Sequence, residues 1–381
     1  MSFGYHYDGA GRLSSLTNPF GETTVYAHQT ASRSSNKTLT NRVRTGSNHN
    51  ALGQSNALGR MRWGECAPSF IGMTDDGAGN RIGVTASIQA LPSLSGTTSY
   101  TYDAKDQLTQ EASTRAGGYT NNYAYDTAGN PTAFKGQSRT YNAKNQLTGG
   151  TGLAGPFTYD GNGNPTTYNG SVLSFNAGDR TTAFGTALTA GYNGGGLRVW
   201  KQSNAGGRTY FLYASGVPIC EFDAAGSLIA TNTWGPGGLV SRRSGNGSVF
   251  YTFDERGNTV QRTNGAGNVL SSRINDAFGT PGGSAGTGDP YDGFGGRYGY
   301  YTDSETGLQL CTFRYYDPNT GRWINRDPIG YRGGINLYAY CDSNPVMRAD
   351  PLGLTFNVQE QYERKTFGCV SRGYRKAGKK N

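Results

Sequence analysis

Between residues 100 and 200 the chain repeats one short phrase: an aromatic residue, then Asp or Asn, then a polar turn, then the start of a new apolar stretch. Tyr100-Thr101-Tyr102-Asp103 is followed by Gln107-Leu108, Tyr123-Ala124-Tyr125-Asp126 by Gly129-Asn130, and Tyr141-Asn142 by Gln146-Leu147. Phe157-Thr158-Tyr159-Asp160 leads to Gly163-Asn164-Pro165, Phe175-Asn176 to Asp179-Arg180, and Tyr192-Asn193 to Gly196-Leu197-Arg198. The spacing is that of one hairpin plus its turn, and a period of that size marks a stacked array. In Tyr-x-Tyr-Asp the two rings are two residues apart, so they share one face of a strand and can pack on the neighbouring hairpin. The Asp opens a turn in which Gly supplies a positive φ and Asn tolerates it. A lone hairpin cannot bury its face, so the copies must stack.

The same vocabulary extends beyond the regular stretch. Tyr5-His6-Tyr7-Asp8 with Gly11-Arg12-Leu13 is a first copy near the N-terminus, and residues 27 to 99 are degenerate, with Asp75-Asp76-Gly77-Ala78-Gly79-Asn80-Arg81 as the clear echo. From Tyr210 the spacing loosens through Cys220-Glu221-Phe222-Asp223 and Tyr251-Thr252-Phe253-Asp254 to Asp276-Ala277-Phe278-Gly279. With 60 Gly and 26 Tyr in 381 residues, and charged residues at 16%, the composition suits many short strands and turns rather than long helices. The reading is an all-β chain of antiparallel β-hairpin repeats. Its expected divisions are 1-99 as a degenerate N-terminal repeat region, 100-278 as regular repeats, 279-290 as a Gly-rich connector, 291-354 as a core segment, and 355-381 as a short basic tail.

Several function classes lack support. The five cysteines, Cys66, Cys220, Cys311, Cys341 and Cys369, are odd in number and far apart, so neither a disulfide framework nor a zinc site is indicated. The histidines His6, His28 and His49 form no zinc-protease motif, and Gly-rich stretches such as Gly191 to Gly196 lack the setting of a phosphate loop. The Asp, Gly and Asn clusters lack the nonapeptide spacing of calcium-binding β-helices. No cofactor is expected. No apolar run is long enough to span a membrane as a helix. The first residues, MSFGYHYDGAGRL, lack the pattern of a signal peptide, which leaves the export route open. Of the net charge of +9, five units lie after Leu354, where seven Lys and Arg oppose Glu360 and Glu363. That tail suits nucleic acid or an anionic membrane, and it equally suits a solvated, unstructured end. Nucleic-acid binding is not expected of the remainder.

The densest stretch runs from Cys311 to Leu354, CTFRYYDPNTGRWINRDPIGYRGGINLYAYCDSNPVMRADPLGL. It holds two Asp-Pro-x-Gly units, beginning at Asp327 and Asp350, with three arginines nearby. Two carboxylates brought close together cannot both ionise cheaply, so the pair shares a proton, as an aspartyl protease requires. The same units are also ordinary turn chemistry, with Asp accepting backbone N–H bonds, Pro fixing φ and Gly closing the turn. Asp317 begins a third Asp-Pro and reads as a turn residue.

This stretch resembles the core of the Rhs or YD-repeat family, whose relatives include the C components of bacterial Tc toxins and the teneurins. The pattern R-Y-Y-D-P-x-x-G-R-W-x-x-x-D-P-I-G, then G-G-x-N-L-Y-x-Y, then N-P-x-x-x-x-D-P-x-G-L is present without a gap. The resemblance implies a long β-sheet wound as a spiral into part of a hollow shell, which in toxin members encloses the cleaved C-terminal polypeptide as cargo. It also implies an aspartyl autoprotease that cuts after the Leu of D-P-x-G-L. Carried over, the catalytic residues are Asp327, Asp350 and Arg314, and the scissile bond joins Leu354 to Thr355. One Asp would activate water and the other protonate the carbonyl, with the assignment left open. Arg314 would orient a carboxylate or stabilise the oxyanion; Arg322 and Arg326 are the alternatives nearest in sequence. Members are secreted or placed at the cell surface. Complete shells carry more repeats, so the chain reads as a C-terminal fragment or a short member, with an N-terminal Rhs shell or a secretion system as partner. The other readings are a structural or adhesive cell-surface array whose exposed Tyr stack on carbohydrate, and an inactive gene fragment.

Overall fold

The computed structural model describes residues 2–28, 35–49, 55–62, 69–88, 92–204, 206–283 and 288–358. Most of the tail, from residue 359 on, lies outside these, as do Cys66 and Cys369.

Two antiparallel sheets of fourteen strands each account for most of the chain. The first runs from strand Gly4–Tyr7 to strand Leu147–Gly150, and the second from Thr158–Tyr159 to Pro281–Gly283. In both, every strand pairs with its neighbour in sequence, so the topology is an uninterrupted meander. The stretch the sequence left degenerate continues the first sheet without a break, through strands Ser35–Thr38, Val43–His49, Ser55–Arg62, Ser69–Asp75 and Arg81–Ser87. Within the Gly-rich connector, Pro281–Gly283 forms the last strand of the second sheet.

Each repeat works through the Asp or Asn that opens its turn. Asp126 Oδ1 accepts the N–H groups of Ala128 (2.9 Å) and Asn130 (2.8 Å), and Asn142, Asn176 and Asn193 do the same in their own turns. One amide or carboxylate oxygen thus satisfies two turn donors, which is why Asp and Asn interchange. The tyrosine just before the Asp reaches backwards. Tyr102 Oη donates to the Arg81 carbonyl (2.7 Å), Tyr125 to Leu108 (2.9 Å), Tyr141 to Pro131 (3.1 Å), Tyr159 to Leu147 (3.0 Å) and Tyr192 to Thr181 (2.9 Å). In each case the acceptor begins the strand that follows the preceding turn, so every ring is a strut between adjacent hairpins.

Adjacent turns are also stitched side chain to side chain. Asn80 Nδ2 donates to Asp106 Oδ1 (2.7 Å), Asn130 Nδ2 to Asn145 Oδ1 (2.8 Å) and Asn164 Nδ2 to Asp179 Oδ1 (2.7 Å). The acceptors Asp106, Asn145 and Asp179 all have positive φ (59°, 61° and 57°), and they alternate along the chain with glycines at the same turn position, Gly79, Gly129 and Gly163. Asn and Asp tolerate that conformation because their short side chains hydrogen-bond locally.

The segment from 288 to 354 folds onto this row of turns. Its four-stranded sheet comprises Tyr301–Thr302, Gln309–Cys311, Arg314–Asp317 and Arg322–Trp323. Arg322 donates to Asn130 Oδ1 (2.9 Å) and the Asn145 carbonyl (2.6 Å), Tyr338 Oη to the Gly163 carbonyl (2.8 Å), and Arg180 to the Phe313 carbonyl (2.9 Å). Buried Arg198 meets Asp303 (2.5 Å) and Tyr315 Oη (2.7 Å). Asp317, read from sequence as a turn residue, caps its turn through Asn319 N–H (2.8 Å) and also takes a hydrogen bond from Tyr168 Oη (2.8 Å). The two large sheets meet each other directly: Asn41 reaches Thr263 and Asn264, and Glu111 accepts the Ala277 N–H (2.8 Å). Between them lies a cavity of about 580 Å³ whose walls include Tyr26, Lys37, Arg60, Phe253, Gln261 and Arg297.

Candidate functional site

The strand Arg314–Asp317 is buried along its whole length, so the side chain of Arg314 projects into protein rather than water. Unpaired, a guanidinium there would cost several kcal/mol. Its partners are arranged all round. Nη2 lies 2.9 Å from Asp327 Oδ2 and 3.4 Å from Asp350 Oδ2, Nη1 donates to the Leu337 carbonyl (3.2 Å), and Nε donates to the Gly353 carbonyl (2.5 Å). The Trp323 ring covers the flat face of the group, 4.2 Å from Cζ to the ring centroid.

Each aspartate is delivered by its Asp-Pro-x-Gly turn. Gly330 N–H donates to the Asp327 carbonyl and Gly353 N–H to the Asp350 carbonyl. Both turn glycines have positive φ, 63° and 65°. A side chain at Gly353 would in addition press on the Cys311 carbonyl (2.9 Å) and the Arg314 backbone. Turn and site are therefore one construction: the motif read two ways from sequence places two carboxylates on one arginine. Asp327 Oδ1 accepts the Ile329 N–H (3.0 Å). Asp350 is held at both ends, since its N–H donates to Tyr300 Oη (3.0 Å), itself bonded to Tyr340 Oη (2.9 Å), and its Oδ1 accepts the Leu354 N–H (3.0 Å).

Burial pushes both carboxyls above the ordinary carboxylate range, and the Arg314 guanidinium pulls each of them back. Asp350 is raised further by its neighbour Asp327. Arg314 itself is lowered by burial, against the opposing pull of the two aspartates. Two carboxyls facing one guanidinium leave one negative charge too many for a buried site, which favours a retained proton on the pair.

Leu354 is half-buried and Thr355 exposed. The chain on either side of their peptide bond is held. Before it, Phe313 N–H donates to the Leu352 carbonyl (3.1 Å) and Arg314 holds the Gly353 carbonyl; after it, Asn357–Val358 pairs with Arg348–Ala349. A Cβ placed on Gly333 would stand 2.2 Å from Asp327 Oδ2 and 2.7 Å from the Leu354 carbonyl oxygen, so that carboxylate and the carbonyl ahead of Thr355 crowd onto the same glycine.

The structure thus brings Arg314, Asp327, Asp350 and Leu354 together. Arg322 and Arg326 point elsewhere, to Asn130 and Asn145 and to the Asn162 carbonyl. Sequence reasoning gave no part to Tyr300, Trp323 or Gly333. Gly333 was in view as the first glycine of G-G-x-N-L-Y, but its backbone (φ −85°, ψ −12°) suits any residue. The demand for glycine there comes from space alone, which a sequence does not display.

Comparison with known proteins bears on the family and the fold. The tRNA3(Ser)-specific nuclease WapA of Bacillus spizizenii is 30% identical over 168 residues, 42% of this chain and 7% of that protein. The double-stranded DNA deaminase toxin A of Burkholderia cenocepacia is 57% identical over 56 residues, 15% of this chain and 4% of that protein. The chain therefore spans less than a tenth of the length of these relatives. Among solved structures, TcdB2-TccC3 without its hypervariable C-terminal region superposes with a TM-score of 0.68 at 18% identity, covering 92% of this chain and 21% of that one. At that identity the likeness is one of fold: the same antiparallel hairpin sheets. Residues 79–346 match the family model described as Teneurin YD-shell, a span that takes in the regular repeats, Arg314 and the Asp327 turn and ends before the Asp350 turn. By that match over most of its length, the chain belongs to the teneurin YD-shell family.

Proposed function

We propose that the chain is the shell-and-core segment of a polymorphic toxin of contact-dependent competition, and that its core hydrolyses the Leu354–Thr355 bond to free whatever follows as cargo. The observation that carries the cleavage reading is that Arg314 touches both aspartates and the Gly353 carbonyl while Asp327 and the Leu354 carbonyl share the space above Gly333. In the reaction, an ionised carboxylate takes a proton from water as its oxygen adds to the Leu354 carbonyl carbon, and the protonated partner donates to the carbonyl oxygen. Collapse of the tetrahedral species breaks the carbon–nitrogen bond, and the Thr355 nitrogen leaves with a proton. One water is consumed, giving a Leu354 carboxylate and a Thr355 amine. Arg314 holds the carboxylates in register and balances their charge.

The toxin reading draws support from the names of the relatives, a nuclease and a deaminase toxin, each far longer than this chain. The partners that follow are the chain's own C-terminal segment as cargo and an N-terminal Rhs shell or secretion machine that carries the product to the cell exterior. Among the described residues no helix is long and apolar enough to cross a membrane. The test is the intact mass of the purified chain beside those of Asp327→Asn and Asp350→Asn. The reading expects a product ending at Leu354 from the parent and full-length protein from both variants; full-length parent protein contradicts it.

A further inference from the structure

We propose that Arg348, on the strand Arg348–Ala349, forms a subsite for the leaving side of the scissile bond, and that Phe356 is the residue this subsite selects. The inference rests on the cleavage reading above and extends it to specificity. Thr355 is exposed and gains little from its surroundings, whereas Phe356 is half-buried and packs against the cluster of Tyr300, Tyr316, Trp323, Tyr340 and Ala349. That cluster includes Tyr300, which holds Asp350, and Trp323, which covers Arg314. The Arg348 guanidinium lies over the Phe356 ring, 4.7 Å from Cζ to the centroid. A cation over an aromatic face is attracted by the ring quadrupole, which an aliphatic side chain of similar size does not offer.

Arg348 is itself fixed. Its Nη1 pairs with Asp342 Oδ2 (2.8 Å), and its N–H donates to the Asn344 carbonyl (3.2 Å). Asn344 in turn bonds Asn80 Oδ1 (3.0 Å) and the Asp106 carbonyl (2.9 Å) in the first large sheet. The backbone completes the grip, with Asn357 opposite Ala349 and Val358 opposite Arg348. The bond to be cut is thus a short span between two anchors, Arg314 on the Gly353 carbonyl and Arg348 on Phe356. Fixing both ends restricts the carbonyl to the neighbourhood of the carboxylates, which converts binding into rate.

The test compares Phe356→Leu, Phe356→Trp and Arg348→Gln in the full chain by the rate of appearance of the product ending at Leu354. Phe356→Leu and Arg348→Gln should each slow cleavage roughly three- to thirtyfold, the range expected for losing one partly desolvated cation–aromatic contact. The double variant should be no slower than the worse single, and Phe356→Trp should rescue. Cleavage of Phe356→Leu at the parent rate overturns the proposal. A second measurement does not require turnover: hydrogen exchange of residues 355–358 in an Asp350→Asn background. Protection there that is lost on adding Phe356→Leu supports the grip even if the parent proves unable to cleave, in which case the protease reading alone falls. Exchange at the rate of a free peptide before that substitution overturns the grip.

Discussion

Gly333 shows how tightly one residue can constrain the site. Its conformation is open to any amino acid, but an added methyl group would meet Asp327 Oδ2 and the Leu354 carbonyl oxygen well inside contact distance. Gly333→Ala should therefore displace the carboxylate from the carbonyl and lower the cleavage rate about a hundredfold, the cost of a misplacement near 1 Å, while the far-UV circular dichroism stays that of the parent. Retained cleavage would show that the crowding does not set the geometry. Asp327, Asp350 and Arg314 were accessible in the sequence because the stretch that holds them resembles the Rhs core, although the Asp-Pro-x-Gly units by themselves also fitted a plain turn. Tyr300 and Trp323 were not accessible. They act on Asp350 and Arg314 through contacts spanning fifty and nine residues, and a buried aromatic in a Tyr-rich chain carries no local mark of such a role.

The hairpin is legible where its tyrosine and aspartate are both present and illegible where they are not. Strands between 35 and 87 pair as regularly as those after 100, because ladder hydrogen bonds need backbone alone, while that stretch has no tyrosine to form the strut that betrays the repeat. The alternation of Gly with Asp or Asn at the positive-φ position of successive turns was present in the sequence as a second signal. Its meaning depends on turns stacking close enough for Asn80, Asn130 and Asn164 to reach across. Asn130 is one of the turn residues that join repeat and core. It is fully buried, donates to Asp126 and Asn145, and accepts from Arg322 and Asn336. Removing it leaves several buried groups without partners, so Asn130→Ala should cost on the order of 3 kcal/mol in a denaturant titration. A loss no larger than that of a surface alanine substitution would show that water replaces these bonds.

The whole molecule depends on how its two sheets meet. At one seam Glu111 of the first sheet is wholly buried, accepts the Ala277 N–H of the second-sheet segment and the Tyr119 hydroxyl, and is pushed up to about 7 by burial, with Asp276 adding to the effect and Arg256 opposing it. A carboxyl whose value is raised on folding binds more protons folded than unfolded. Its contribution to stability is therefore complete below its unfolded value near 4.5 and is lost as pH rises through about 7. The parent should lose on the order of 3 kcal/mol from this group between pH 4.5 and pH 8, and Glu111→Gln, which keeps an acceptor without the charge, should flatten that slope. Parallel pH profiles of unfolding for the two proteins would contradict this account of the seam. Across the seams and turns, the core segment bonds to both sheets, Arg322 to Asn130 and Asp303 to Arg198, and the same segment sets Leu354 N–H on Asp350. The most direct test of that central claim is to let the purified chain cleave in water enriched in oxygen-18 and to sequence the product's C-terminus by mass spectrometry. A product ending at Leu354 with one heavy oxygen in its new carboxylate, absent from Asp350→Asn, is the expected result; an uncut chain, or a cut elsewhere that survives Asp350→Asn, would contradict it.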